Sequence, residues 1–454
     1  MRATVRPGSR VGGEVVVPGD KSIAHRWLIL AATASGTSVL HDLPPALDVR
    51  STARCLAALA PATRDALEAW AERPRHEGDG DGFTFNNGEH RPPSSSLTLR
   101  ARGRGALEVP SAELDCGNSG TTMRLLAGVL ASCPFPAVLT GDASLRTRPM
   151  ERVAVPLREM GAEVSMTEGH APIRLEGGRL RGIRYRTPVP SAQVKGAVLL
   201  AGVAAEGSTT VQETAVTRDH TERALTALGA PVEASDGNVT VTAFQHGDFE
   251  ASVPGDVSSA AFLVAAAALT GAELVVRGVG LNPSRTRFLE VMRRMGVAAE
   301  GQVHGRELGE PVGDLQVSRT AELLGTTVEA SEVPLVIDEI PVLAMLAAHA
   351  GSGSRFCGAS ELRVKESDRL EGVAAAIREL GGAAEVQADD LVVAGGGLGG
   401  GAGDAGGDHR MAMALAIAAL SARGPVEVGG IQAAEVSFPG FVQTLRALGA
   451  HIEG

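Results

Sequence analysis

Lysine is almost absent from this sequence. Of 42 basic residues in a chain of 454, only Lys21, Lys195 and Lys365 are lysines; the others are arginines. An ammonium is a compact charge on a flexible stem whose pKa moves readily, whereas a guanidinium is planar and always charged. A lysine kept against such a bias therefore marks a position that wants a mobile point charge. Aromatic residues are also scarce, at 3%, with Trp27, Trp70 and the single tyrosine Tyr185. So few rings exclude the stacking platforms of single-strand nucleic-acid binders, and the core must be built from Ala, Val and Leu. The four cysteines, Cys55, Cys116, Cys133 and Cys357, are scattered and form no CxxC or zinc spacing. They read as reduced thiols of a cytoplasmic protein. Positive charge is short overall: the net charge is −11, which excludes a polyanion binder with a broad basic face but leaves room for a small cationic cleft. The start, "MRATVRPGSRVGGEVVV", has no signal-type apolar stretch, and runs such as "AAFLVAAAALTGA" are too short to span a bilayer.

What the sequence does contain is repetition. At this length two domains are expected. "EVVVPGDKSIAHRWLILAATASGTSVL" and "EASVPGDVSSAAFLVAAAALTGAELVV" match at an offset of 236 residues, which implies two similarly built halves. A shorter period runs through both. Apolar helices ending on glycine recur at Gly161, Gly229, Gly296, Gly381 and Gly449, at spacings of 68, 67, 85 and 68. Glycine there suits a left-handed helix cap before a strand. "CLAALAPAT" near residue 60 reads as a degraded sixth copy. The chain thus reads as α/β, with about six βαβ-type units, three to a domain. Residues 61–100, with "RPRHEGDGDGFTFNNGEHRPPSSS", break the pattern and are expected to be a solvated surface insertion.

Five units open with a small polar motif before an apolar helix: "GDKSIAHRWL", "GNSGTTMRLL", "PSAQVKGAVL", "GDVSSAAFLV" and "GDHRMAMALA". Ser, Asn and Asp serve as N-caps without any ligand. Yet Lys21, Arg26, Arg124, Lys195 and Arg410 lie within or beside four of these starts. Helix N-termini already favour phosphate and carboxylate, so added cations turn them toward small anions. "PGDKS" is not a P-loop, because Asp20 interrupts the required Gly-Lys pair. "RVKESDRL" packs Lys365, Glu366, Asp368 and Arg369 together, and "LVIDEIPVLAMLA" sets Asp338 and Glu339 in an apolar run. Acids in such a setting are caps or groups with perturbed pKa.

Taken in order, "PGDKSIAHR", "GNSGTTMRLL", "GDASLRTRPM", "PSAQVKGAVLLAG", "RVKESDRL" and "GDHRMAMALAIAAL" resemble the 5-enolpyruvylshikimate-3-phosphate synthases and cover nearly the whole chain. The resemblance implies two inverse α/β domains of three units each: residues 1–19 with 253–454, and 20–252. It implies transfer of the enolpyruvyl group of phosphoenolpyruvate to the 5-hydroxyl of shikimate 3-phosphate. No cofactor or metal is implied, nor any nucleic-acid or membrane partner, and a monomer is expected. Carried over by motif, Lys21, Asp338 and Glu366 would be catalytic, with Glu366 protonating the methylene. Shikimate 3-phosphate would meet Lys21, Ser22, Arg26, Ser191, Ala192, Gln193, Thr217, Asp338 and Lys365. Phosphoenolpyruvate would meet Lys21, Gly120, Arg148, Gln193, Arg369 and Arg410, with Asn118, Arg124 and His409 in support. Gly120 would leave room for the inhibitor glyphosate. The halves, each presenting cations, would repel until an anion bridges them.

The sequence departs from the family pattern at Val436, where many members place a phosphoenolpyruvate-binding lysine, and at Ala192, where some have serine. The alternative is the sister enzyme that acts on UDP-N-acetylglucosamine, whose loop carries a reactive cysteine; Cys116 and Cys133 read instead as buried thiols. A non-catalytic RNA-binding protein is disfavoured by charge and by the lack of aromatics.

Overall fold

The alanine-rich segments form helices that are buried on every side. All eleven residues of His409–Ala419 and twelve of the fourteen in Val257–Thr270 are buried, as a helix apolar all round must be. Lys21–Thr33, Gly120–Leu130, Ala192–Gly202 and Ile340–Ala348 are of the same kind. The computed structural model describes residues 1–73, 84–86, 89–91, 96–318, 320 and 322–454, and within them six small sheets accompany these six helices.

Each buried helix feeds one strand of a parallel pair. Gly120–Leu130, for example, leads into Pro136–Thr140, which runs parallel to Leu114–Asp115 and antiparallel to His170–Glu176, with Glu163–Thr167 at the far edge. In two sheets the parallel partner comes from far along the chain. Gly13–Val16 pairs with Leu274–Gly280, and Glu250–Ser252 pairs with Ser35–His41. The chain therefore crosses over twice, once at each Pro-Gly-Asp copy of the long repeat. The two copies bond to each other: Asp20 N–H donates to Pro254 O and Asp256 N–H to Pro18 O, both at 2.8 Å. On either side lie two separate apolar cores, one formed by Ala3–Val17 with Val257–Ile452, the other by residues between Ile23 and Val253.

The glycine period has the physical cause expected of it. Gly161, Gly229, Gly296, Gly381 and Gly449 all hold positive φ, from 79° to 112°, a conformation that costs other residues a Cβ clash.

The described parts of the segment 61–100 are regular structure and not the solvated insertion that its composition suggests. Pro61–Thr63 and Arg64–Ala71 are helical and bury Leu67, Trp70 and Ala71. Leu97–Arg102 is a strand paired to Ser35–His41, and Glu89–Arg91 joins the sheet of Gly13–Val16 through Val15 and His90. The spacing of Leu67 and Trp70 is that of an amphipathic helix; the Gly-Pro-Ser composition further on masks it. Residues 74–83, 87–88 and 92–95 of that expectation lie outside the described residues. Among the described residues no helix is long and apolar enough to cross a membrane.

Candidate active site

The helix starts are capped as their sequences indicate. Asp20 accepts from Ile23 N–H at 3.0 Å, Ser119 from Thr122 N–H at 3.1 Å, Ser191 from Val194 N–H at 3.3 Å and Asp408 from Arg410 N–H at 2.9 Å. Capping alone does not explain the charged side chains beside them, which converge between the two cores.

Asp338 lies at the centre, in the turn between Val333–Val336 and Ile340–Ala348. Arg218 Nη2 is 2.5 Å from its Oδ2, while Arg369 Nη1, Arg410 Nε and Lys365 Nζ stand 3.5, 3.7 and 3.9 Å from Oδ1. Burial alone would raise this carboxyl, but the surrounding cations, Arg218 and Arg410 foremost, hold it well below the carboxylate range. Glu366 sits in the turn before the helix Arg369–Glu379. Arg369 Nη2 lies 2.5 Å from its Oε2 and Arg148 Nη1 3.5 Å from its Oε1. Burial again opposes ionisation, and Arg369, Arg148 and Lys21 again outweigh it, leaving Glu366 well below its usual range.

Lys21 Nζ donates to Asp48 Oδ2 at 3.0 Å. Burial lowers the pKa of the second cleft lysine, Lys365, and Arg369 and Arg218 add to the effect against the opposing pull of Asp338. His409 is pushed down to about 3 by burial and by Lys21, so its ring is neutral at physiological pH.

The remaining candidates form the walls. Arg124 Nη1 donates to Gln193 Oε1 at 2.5 Å, and Gln193 Nε2 donates to Thr121 Oγ1 at 2.8 Å. Arg148 bonds Asn118. A Cβ on Gly120 would lie 2.7 Å from Arg124 Nη1 and 3.6 Å from Arg148 Nη1, so glycine lets both guanidinium groups approach the helix start. Arg26 Nε donates to Thr221 Oγ1 and its Nη1 to Ser22 O, both at 2.8 Å. Thr217 donates its hydroxyl to Glu213. Ala192 opens the helix that Ser191 caps. Val436 ends the short Ile431–Val436 turn and brings no charge. Several buried cleft nitrogens have no partner: Arg124 Nε, Arg148 Nε, Arg410 Nη1 and His409 Nε2. Buried donors without acceptors are costly, and an anion would supply them.

Lys195 departs from the expectation. Its ammonium is buried between Glu213 and Glu222, at 2.9 and 2.7 Å, and both carboxylates neutralise it. It holds helix Ala192–Gly202 in place and does not serve the cleft. Asp48 and Arg218 were not singled out by the sequence; each owes its role to a partner distant in the chain. The lobes also do not simply repel. Arg152–Glu361 at 3.0 Å, Arg148–Glu366 and Arg218–Asp338 cross from one core to the other, because one side contributes the carboxylates that answer the other's arginines. Cys116 is buried, and burial raises its thiol well above the usual value; an inert thiol follows.

The chain is similar over nearly its whole length to known proteins. A family model described as EPSP synthase (3-phosphoshikimate 1-carboxyvinyltransferase) matches residues 5–87 and 91–445. A 3-phosphoshikimate 1-carboxyvinyltransferase of Halorhodospira halophila is 45% identical over 455 residues, spanning 99% of this chain and 96% of its own. One from Acidithiobacillus ferrooxidans is 43% identical over 461 residues, spanning 100% and 99%. The solved structure of EPSP synthase from Acinetobacter baumannii superposes with a TM-score of 0.82 at 35% identity, covering both chains fully.

Proposed function

The chain belongs to the EPSP synthase (3-phosphoshikimate 1-carboxyvinyltransferase) family and has its two-domain enolpyruvyl transferase fold, and from that premise we propose how the cleft divides the work. The enzyme transfers the enolpyruvyl group of phosphoenolpyruvate to the 5-hydroxyl of shikimate 3-phosphate and releases phosphate. In the proposed division, lobes 1–19 with 253–454 and 20–252 close on both substrates, and a monomer suffices. Ser22, Arg26, Ser191, Ala192, Gln193, Thr217 and Lys365 hold shikimate 3-phosphate. Arg148, Arg369 and Arg410 hold phosphoenolpyruvate by forked hydrogen bonds, with Gly120 and Gln193 beside them. Val436 supplies no charge, and Arg124 stands with Arg148 at the Gly120 helix start.

The chemistry is addition, then elimination. Asp338 takes the proton of the 5-hydroxyl as that oxygen bonds to the enol carbon. A proton reaches the methylene from Glu366, giving a tetrahedral adduct. The methyl then returns a proton as the carbon–oxygen bond to phosphate breaks. Lys21, which donates to Asp48 and whose charge acts on Glu366, touches both substrates and takes part in the proton transfers.

The observation that carries this division is the ring of four cations around Asp338, which keeps a base ionised beside an acceptor that is itself an anion. Phosphate release on adding phosphoenolpyruvate is expected with shikimate 3-phosphate and not with UDP-N-acetylglucosamine; release with the sugar nucleotide alone would reverse the assignment. Asp338→Asn tests the base. The amide keeps the shape of the carboxylate and cannot take the hydroxyl proton, so kcat is expected to fall by about 10² to 10⁴, the usual worth of a positioned base. A kcat within a few-fold of the parent's would remove Asp338 as the base.

A further inference from the structure

Arg285 belongs to none of the motifs above, yet it is buried where the two chain crossovers meet. Its Nη1 donates to Asp20 Oδ2 at 2.7 Å and to His220 Nε2 at 3.1 Å. Its Nη2 donates to Ser258 Oγ at 2.7 Å and to Asp256 Oδ1 at 3.3 Å. Asp20 and Asp256 are the aspartates of the two Pro-Gly-Asp copies, so one planar fork ties both crossovers together. Ser258 passes the contact on by donating to Glu339. His220, which accepts from Arg285 at Nε2, donates from Nδ1 to Glu310 at 2.8 Å.

Three of these contacts lead toward groups of the site. Asp20 precedes Lys21, Glu339 follows Asp338, and His220 lies two residues beyond Arg218, which holds Asp338 Oδ2. We propose that Arg285 is a positioning residue that fixes the distance of the Lys21 helix start from the Asp338 turn across the crossovers. This rests on the assignment of Lys21 and Asp338 to the chemistry given above. Stability alone is a poor reason for such a cluster, since buried ion networks are often matched or exceeded by apolar packing. Geometry is a better one. A rigid fork can hold two carboxylates and a hydroxyl in one plane, which a lysine ammonium cannot.

The test is Arg285→Lys, which keeps the charge and gives up the fork. Circular dichroism and thermal melting should show a folded protein, and calorimetry should show shikimate 3-phosphate binding near the parent's, because most of that pocket lies within residues 20–252. kcat is expected to fall by about 10², the scale of a misplacement of roughly 1 Å at a reacting group. In the Asp338→Asn background the same change should add little further loss, since the group it positions is already disabled. A merely structural arginine would lower the melting temperature without that non-additivity. Parental kcat in Arg285→Lys, or a loss that multiplies in full onto Asp338→Asn, would overturn the proposal. Should Arg285→Lys not fold, Ser258→Ala decides: it removes the hydroxyl that joins Arg285 to Glu339 and leaves Arg285 its aspartate and histidine contacts, and it must lower kcat for the proposal to stand. An active Asp338→Asn enzyme would instead refute the assignment of the base, an outcome distinct from these.

Discussion

Glu366→Gln is expected to reduce kcat by about 10² to 10⁴, the usual worth of a positioned acid or base, while the KM for phosphoenolpyruvate stays level or falls. Glutamine keeps the volume and loses both the charge and the transferable proton. The direction of KM follows from the ion pairs. Glu366 competes for Arg369 at 2.5 Å and Arg148 at 3.5 Å, and these are the guanidinium groups assigned to the incoming anion. A second consequence concerns protons. Arg369, Arg148 and Lys21 hold the Glu366 carboxyl well below its ordinary range, so an acid role requires that it first gain a proton. Each negative charge that phosphoenolpyruvate brings offsets a guanidinium and moves the carboxyl back toward protonation. Binding should therefore draw a proton from the buffer. Calorimetry in buffers of different ionisation enthalpy would register that uptake in the parent and not in Glu366→Gln. A kcat within a few-fold of the parent's would remove Glu366 from the mechanism.

The legible parts of this protein are those written in local pattern. Glycines that close helices must adopt positive φ whatever surrounds them, so the period of Gly161, Gly229, Gly296, Gly381 and Gly449 carried over into φ values. The scarcity of lysine drew attention to Lys21 and Lys365, both of which reach acids in the cleft. It pointed wrongly to Lys195, because a compact ammonium also suits a tight buried space between Glu213 and Glu222. Arg218 and Arg285 stayed hidden for a different reason. Their importance lies in Asp338, Asp20 and Ser258, partners brought near by the two crossovers. In a chain where arginine is the ordinary cation, no local feature separates these from the surface arginines. The helix Arg64–Ala71 was missed because the polar stretch that follows dominates composition over that span, although Leu67 and Trp70 are buried.

Lys21→Arg is the sharper test of why so arginine-rich a chain keeps lysine at the head of its first buried helix. If Lys21 supplied only positive charge to the anions, arginine would replace it with little loss. The structure gives two reasons to expect otherwise. Lys21 Nζ reaches Asp48 Oδ2 at 3.0 Å from a side chain only 15% exposed, and a larger planar fork needs two acceptors in one plane where the ammonium needs one. The same ammonium acts on the ionisation of both Glu366 and His409, so its displacement disturbs the acid and the neutral imidazole together. The expected loss in kcat is at least about 10², as for a group misplaced by roughly 1 Å, with the charge retained throughout. Lys21→Met supplies the comparison. Should charge alone matter, the arginine variant would sit near the parent and the methionine variant far below it. Should position and proton transfer matter, both fall steeply in kcat, and only methionine also loses affinity for the anionic substrates. Steady-state phosphate release together with substrate-binding calorimetry separates these outcomes, and a Lys21→Arg enzyme with near-parental kcat would reduce the first lysine to an ordinary anion contact.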